Sequence, residues 1–295
     1  MMEELLEIII EGFIRGGTYS LMALGLTLLY GVGRIVNMSH GAIFMLGVYM
    51  YYAFSTLILG LPPFLALIMA ILVMGLIGAI IHRLTVQPIL GDDVAILVVT
   101  MTIAVAIQAV VLIFFGGETV YIINPIDFGY FKFLGVVLSW TSAITFFLSL
   151  SLFLLVALFI NKSKVGKAMQ ALSQDREAAM LMGINVNRLY TLTMILSVIL
   201  ATIAGFMYCI PVKSAGPSIW FNAIISSFAI VILGGLGSIK GSLAGSFIIG
   251  LAESAVIKLH TEGGSIVLIA PLTVMIAVLL IRPKGLFGKR VEMED

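Results

Sequence analysis

"GKAMQALSQDREAAMLMGI", residues 166–184, sets Lys167, Asp175, Arg176 and Glu177 among apolar neighbours. The chain around it is oily: 61% of its 295 residues are hydrophobic and 11% are charged. A soluble domain averages roughly 45–50% apolar and about 25% charged residues, and the mean hydropathy here is +1.19. Burying so much hydrocarbon takes a lipid bilayer as part of the solvent. Against that background, residues 166–184 read as an amphipathic excursion between two spans.

From the residue before it, Val165, Ala168, Met169 and Leu172 fall at helical spacing. Asp175 is suited to cap a second short helix, "REAAMLM", and Gly183 to stop it. Two short helices with apolar edges are therefore expected. Three roles fit them: resting on lipid headgroups, linking spans without a partner, or docking as a knob into a cleft of another protein. Helix-in-groove docking uses this same spacing, so the residues alone leave the choice open.

Working outward, each span needs roughly 20 mostly apolar residues. Spans are expected at 8–30, 41–59, 62–83, 94–115, 140–160, 189–210 and 264–282. Residues 220–258 are too long for one crossing and are interrupted by "GGLGSIKGS", which predicts helices near 221–233 and 241–258. The expected fold is all-α: a polytopic transmembrane bundle of about eight or nine segments, some broken or re-entrant, in a single domain over 1–295. Lys and Arg favour the cytoplasmic side. That side takes 161–188 with Lys162, Lys164, Lys167, Arg176 and Arg188, the connection bearing Arg83, and the tail with Arg282, Lys284, Lys289 and Arg290. The other side receives Lys132, Lys213 and Lys258. If both short helices cross, there are nine crossings and the N-terminus lies outside; a re-entrant pair gives fewer, with the N-terminus inside. The acidic start "MMEELLEIIIEGF" does not suit a cleaved signal peptide. Residues 116–139 alternate β-branched and aromatic side chains, which fits a small hairpin or an interfacial aromatic loop.

Several function classes are disfavoured. A net charge of +1 with no basic stripe argues against nucleic acid. The one cysteine, Cys209, excludes an internal disulfide and a thiolate cluster. His40, His82 and His260 are scattered, so no metal site and no nucleophile–base pair of usable spacing is expected. No G-x-x-x-x-G-K-[ST] occurs. The chain is expected to be neither an enzyme nor the holder of a cofactor.

Two stretches break the oily helices with glycine and polar residues: "YGVGRIVNMSHG" (30–41) and "LGGLGSIKGS" (233–242). They echo one another weakly. Irregular backbone at membrane depth survives where it is buried in protein or lines a wet cavity, and transporters use such breaks to hold polar solutes. Asn37, Ser39, His40, Gly235, Gly237 and Ser238 are candidate path residues. The competing reading is packing or tight turns, with Gly241 and Gly245 spaced for close helix contact. Glu253 is the clearest intramembrane carboxylate and a functional candidate by default, with Ser254 or Lys258 as possible supports. Glu11 and Arg15, one helical turn apart, read as an interfacial pair.

"EAAMLMG" resembles the EAA loop of ATP-binding-cassette importer permeases, which docks into the ATPase subunit. The longer "GKAMQALSQDREAAMLMGINVNRLY" is similar to the cytoplasmic loop of the branched-chain amino-acid permease family. "GLTLLYGVGRIVNMSHGAIFMLGVY" (25–49) resembles that family's N-terminal signature, and "ILGGLGSIKGSLAGSFIIGLAES" with "IRPKGLFG" its C-terminal part. The resemblance implies a multi-pass permease subunit of the cell membrane, importing branched-chain or related amino acids by alternating access. It implies two cytoplasmic ATPase subunits holding ATP and magnesium, a sister permease and an external solute-binding protein. It assigns coupling to 161–188, through Asp175, Glu177, Ala178, Ala179 and Gly183. The rival reading, an ion-coupled secondary transporter, favours intramembrane carboxylates, for which only Glu253 qualifies.

Overall fold

The computed structural model describes residues 2–260 and 263–288; the tail residues Lys289 and Arg290 lie outside the described residues. Helix α1 (Met2–Gly33) has 32 residues, enough at about 1.5 Å per residue to cross a bilayer with turns to spare. Residues 16–29 of α1 are all buried. It is the axis of the bundle, packed by α5 (Trp140–Lys162), α8 (Val186–Val212), α9 (Ile219–Gly234) and α10 (Ile239–Leu259). Helices α3 (Pro63–Ile81), α4 (Asp93–Phe115) and α5 form the periphery. The apolar windows of these three are 28, 22 and 22% buried, against 61% for α8. They turn Leu72, Leu76, Ile113, Phe147 and Leu155 outward, a surface that is stable in hydrocarbon and not in water.

The two ends of the bundle differ. At one end, Val32 of α1 packs against Met169, Leu172, Val186, Leu189 and Tyr190, and the tail docks by Leu286 N–H to Leu233 O (2.8 Å). This basic end holds the 81–93 and 161–188 connections. At the far end, Lys258 Nζ pairs with Glu7 (2.6 Å) and Glu11 (3.3 Å), and Lys213 pairs with Asp127. Glu11 thus takes Lys258 rather than the expected Arg15. The N-terminus of α1 lies at the far end, which matches the longer of the two expected counts of crossings.

Two half-helices meet inside. Helix α2 (His40–Tyr52, continued by a π turn at Ala53–Leu57) follows loop 34–39, and α9 follows loop 213–218. Arg34 leaves α1 at φ +52° and Lys213 leaves α8 at φ +57°; each is six residues before the next helix. α1 and α8 are antiparallel, with Val32 beside Tyr190 and Tyr19 stacked on Tyr208. The two long-helix, loop, half-helix units therefore run in opposite directions. The true counterpart of loop 34–39 is 213–218, not the glycine-rich stretch near 235. That stretch is the tight turn between α9 and α10, where a Cβ on Gly241 would come within 2.0 Å of Gly234 O.

The hairpin is present: β2 (Tyr130–Phe133) pairs with β3 (Val136–Ser139). Its turn residues Leu134 and Gly135 both have positive φ, 51° and 92°, as a tight two-residue hairpin requires. A second short pair joins β1 (Val120–Tyr121) to β4 (Ser214–Ala215). The expected last span, 264–282, is instead one turn of helix, α11 (Gly263–Ile266), followed by α12 (Ile269–Ile281). Pro271 stands in the first turn of α12. Having no N–H, it fits a helix start and interrupts a helix running into it.

Candidate functional site

Between α5 and α8 lie α6 (Lys164–Gln174) and α7 (Arg176–Leu181), the two short helices expected there. Ser163 Oγ accepts from Gly166 N–H at 2.9 Å and caps α6. Asp175 Oδ1 accepts from the N–H groups of Glu177 (2.8 Å) and Ala178 (3.0 Å) and caps α7. The end of α7 is fixed by Gly183 N–H to Met180 O (3.0 Å) and Ile184 N–H to Ala179 O (3.1 Å). This paired closure needs a left-handed residue at Gly183, whose φ is +81°.

Met169, Leu172 and Ala179 point inward onto Val32, Val186, Leu189 and Tyr190. Glu177, Ala178 and Gly183 are exposed, and so are Leu181 and Met182, at 88 and 83%. Sequence reading missed these last two. Their signal was the apolar run "AAMLM", too long for one face of a six-residue helix.

Asn37, Ser39 and His40 are buried at the start of α2. Asn37 Oδ1 accepts from Ser39 N–H (3.0 Å) and Ser39 Oγ (2.6 Å). His40 Nε2 donates to Met22 O at 2.9 Å, and Ser197 Oγ lies 3.4 Å from His40 Nδ1. Helix α4 satisfies both breaks. Thr100 Oγ1 accepts from Met38 N–H at 3.1 Å, and Gln108 Nε2 donates to Pro217 O at 3.5 Å. Gly235, Gly237 and Ser238 lie apart, at the basic end: Gly235 abuts Gly288, Gly237 abuts Gly31, and Ser238 Oγ caps α10 at Gly241 N–H (3.1 Å).

Glu253 is buried in the core of the bundle. Tyr19 donates to one of its oxygens and Ser226 Oγ to the other at 2.9 Å. Neither expected support, Ser254 or Lys258, touches it: Ser254 Oγ has no partner, and Lys258 serves the far end. Nothing in the sequence points from Tyr19 to a residue 234 positions away. Two cavities flank this cluster. A larger one of about 340 Å³ is lined by Glu11, Arg15, Thr18, Ser139, Ser142 and Tyr208, among others. A small one of about 20 Å³ is lined by Tyr19, Met22, Phe44, Tyr208, Asn222 and Ser226, among others. Among the described residues no group of three His, Cys, Asp or Glu could hold a metal ion.

The geometry is that of a membrane bundle with a capped surface knob, paired half-helices and a polar core. The family described as "Branched-chain amino acid transport system / permease component" matches residues 8–281. The chain belongs to this permease family. Within it, the chain is 29% identical to the high-affinity branched-chain amino acid transport system permease protein BraD of Pseudomonas aeruginosa, over 96% of both chains. It is 31% identical to the probable branched-chain amino acid transport permease protein LivH of Methanocaldococcus jannaschii, over 96% of this chain and 92% of that one. Among solved structures, PsaBC from Streptococcus pneumoniae in complex with Fab shares the fold. The TM-score is 0.54, at 17% identity, over 96% of this chain and 97% of that one. The permease family membership and the apolar spans make this a multi-pass membrane protein.

Proposed function

We propose that this permease imports branched-chain or related amino acids across the cell membrane by alternating access, driven by ATP hydrolysis in two separate cytoplasmic subunits. The observation that carries this reading is the α6–α7 knob. Its tip is apolar and exposed, its ends are rigidly capped, and its inner face is packed on α1 and α8, the helices that lead into both internal breaks. A partner gripping Leu181, Met182 and Glu177 therefore has leverage on both half-helices at once. Asp175, Ala178, Ala179 and Gly183 hold the knob in shape, in keeping with a coupling role for 161–188. A sister permease, an external solute-binding protein, and ATP with magnesium in the partner ATPases complete the transporter.

Asn37, Ser39, His40, Gly235, Gly237, Ser238 and Glu253 are proposed as path residues. The first three are enclosed and internally bonded in this state, so solute reaches them only after the half-helices move. Cysteines placed at 37–40, where Asn37, Ser39 and His40 are enclosed here, are expected to react with aqueous thiol reagents in at least one nucleotide state, and those at 235–238, in the turn at the basic end, to be protected by solute. Inertness in every state removes the path assignment. The transport reading is tested in proteoliposomes holding the purified complex: labelled L-leucine enters with ATP and not with an ion gradient alone. Uptake by this chain alone on a proton or sodium gradient would establish the secondary-transporter alternative instead.

A further inference from the structure

We propose that the Glu253 cluster is a recognition site for the zwitterionic head of the amino acid, with Arg15 holding the carboxylate and the hydroxyls of Tyr19 and Ser226 holding the ammonium. The site presupposes the transport function proposed above and specifies its chemistry. Tyr208 lines both cavities, stacked on Tyr19 with ring centroids 6.2 Å apart. It stands at the boundary of the 340 Å³ chamber, which Arg15 lines, and the small pocket walled by Tyr19 and Ser226.

The polarity of the wall is set from behind. Glu253 accepts from both hydroxyls, so each has its proton turned away from the pocket and its oxygen left as an acceptor, the Tyr19 oxygen being shared with Tyr208. A hydroxyl fixed in this way accepts from an ammonium and does not repel it. Arg15 stands in the electrostatic field of Glu253, Glu11, Tyr19 and Tyr208. Among the described residues it forms no ion pair; the carboxylate nearest along α1, Glu11, is taken by Lys258. A guanidinium at membrane depth without a bonded carboxylate is costly, and such a group marks a substrate path. It also suits a carboxylate geometrically, through two parallel N–H groups. Glu253 is thus a positioning residue, and Arg15, Tyr19 and Ser226 are the contacts.

The test is binding of labelled L-leucine to the permease–ATPase complex in nanodiscs, without the external binding protein. The competitors are 3-methylbutylamine, which lacks the carboxylate, and 4-methylpentanoate, which lacks the ammonium. For the wild type, leucine is expected to outcompete both. In Glu253→Gln the amide nitrogen replaces one of the two carboxylate oxygens, donates to the hydroxyl it faces and turns that proton into the pocket. The advantage over 4-methylpentanoate then shrinks roughly tenfold, the scale of one charge-assisted hydrogen bond, while that over 3-methylbutylamine is kept. Arg15→Gln gives the reverse pattern. Tyr19→Phe repeats the Glu253→Gln pattern in a variant that keeps the carboxylate, should Glu253→Gln fail to assemble. A merely structural role lowers all binding together and leaves the ranking intact. An unchanged ranking in assembled variants overturns the site, as does ATP-driven leucine uptake by a wild-type complex that binds none of the three compounds. Those results leave the transport function standing. Absence of ATP-driven leucine uptake in the wild type overturns the function and this site with it.

Discussion

Asp175 and Gly183 each do one physical job, and each job sits at an end of α7. Replacing an N-cap Asp by Ala costs about 1 kcal/mol, and placing a β-carbon at a left-handed position costs roughly 1–2 kcal/mol. In a helix of six residues either loss unravels the knob. We expect Asp175→Ala and Gly183→Ala to insert normally and to lose ATP-driven leucine uptake several-fold, measured in proteoliposomes. Undiminished uptake in both would separate the knob from coupling. These two roles were legible in the sequence, because capping is local. The partner of Asp127 was not, since Lys213 lies 86 positions away. The hydrogen bond from Lys213 holds the Asp127 carboxyl below its ordinary value, and the hydrogen bond to Asp127 raises Lys213. A lowered carboxylate contributes stability present above its unfolded pKa of about 3.9 and lost as pH falls through the folded value. A raised lysine contributes below its unfolded pKa of about 10.4 and loses this as pH rises through the folded value. The pair therefore holds across the neutral range. Limited proteolysis of 116–139 should be unchanged between about pH 5 and 9 and rise in stronger acid. Asp127→Asn should raise it at neutral pH and abolish the acid step; an acid step that survives in Asp127→Asn excludes this pair as its cause.

Among the elements, the hairpin, the two short helices and the split of 220–258 were all foreseeable, since each rests on local periodicity or turn chemistry. The shortened last helix was also marked, by Pro271, in a stretch otherwise apolar enough to pass for a full span. Pairing of the two breaks was not foreseeable. Loop 213–218 carries no glycine-rich run like that near 235, so composition pointed to the wrong partner; the shared feature is a backbone one, positive φ at Arg34 and Lys213. The half-helices touch at Gly41, where a Cβ would meet Trp220 O at 2.3 Å. Gly41→Val must push α2 and α9 apart, an overpacking cost of roughly 1–3 kcal/mol. A lowered midpoint of thermal unfolding in detergent is expected, with Gly264→Ala, which has nothing within 4 Å and no left-handed backbone, as a milder comparison; equal midpoints for Gly41→Val and wild type would show that the crossing is not tight.

For the whole molecule, the ends of the bundle segregate charge, and the positive-inside rule then orients it. Single cysteines test this in right-side-out vesicles with a membrane-impermeant maleimide. Glu3→Cys is expected to react from outside, and Ser173→Cys only after the membrane is opened; the opposite pattern inverts the orientation. The sequence by itself determined the solvent, the class of fold and the capped knob, and left the number of crossings between two counts. Hydrophobicity, charge bias and capping act over one element, so one-dimensional pattern suffices to read them. Only the tertiary structure decided that α1 is the buried axis, that α4 satisfies both breaks, and that Tyr19, Ser226 and Arg15 gather around Glu253. Those arrangements depend on which helices pack together, and contacts between distant segments leave no local signature in the chain.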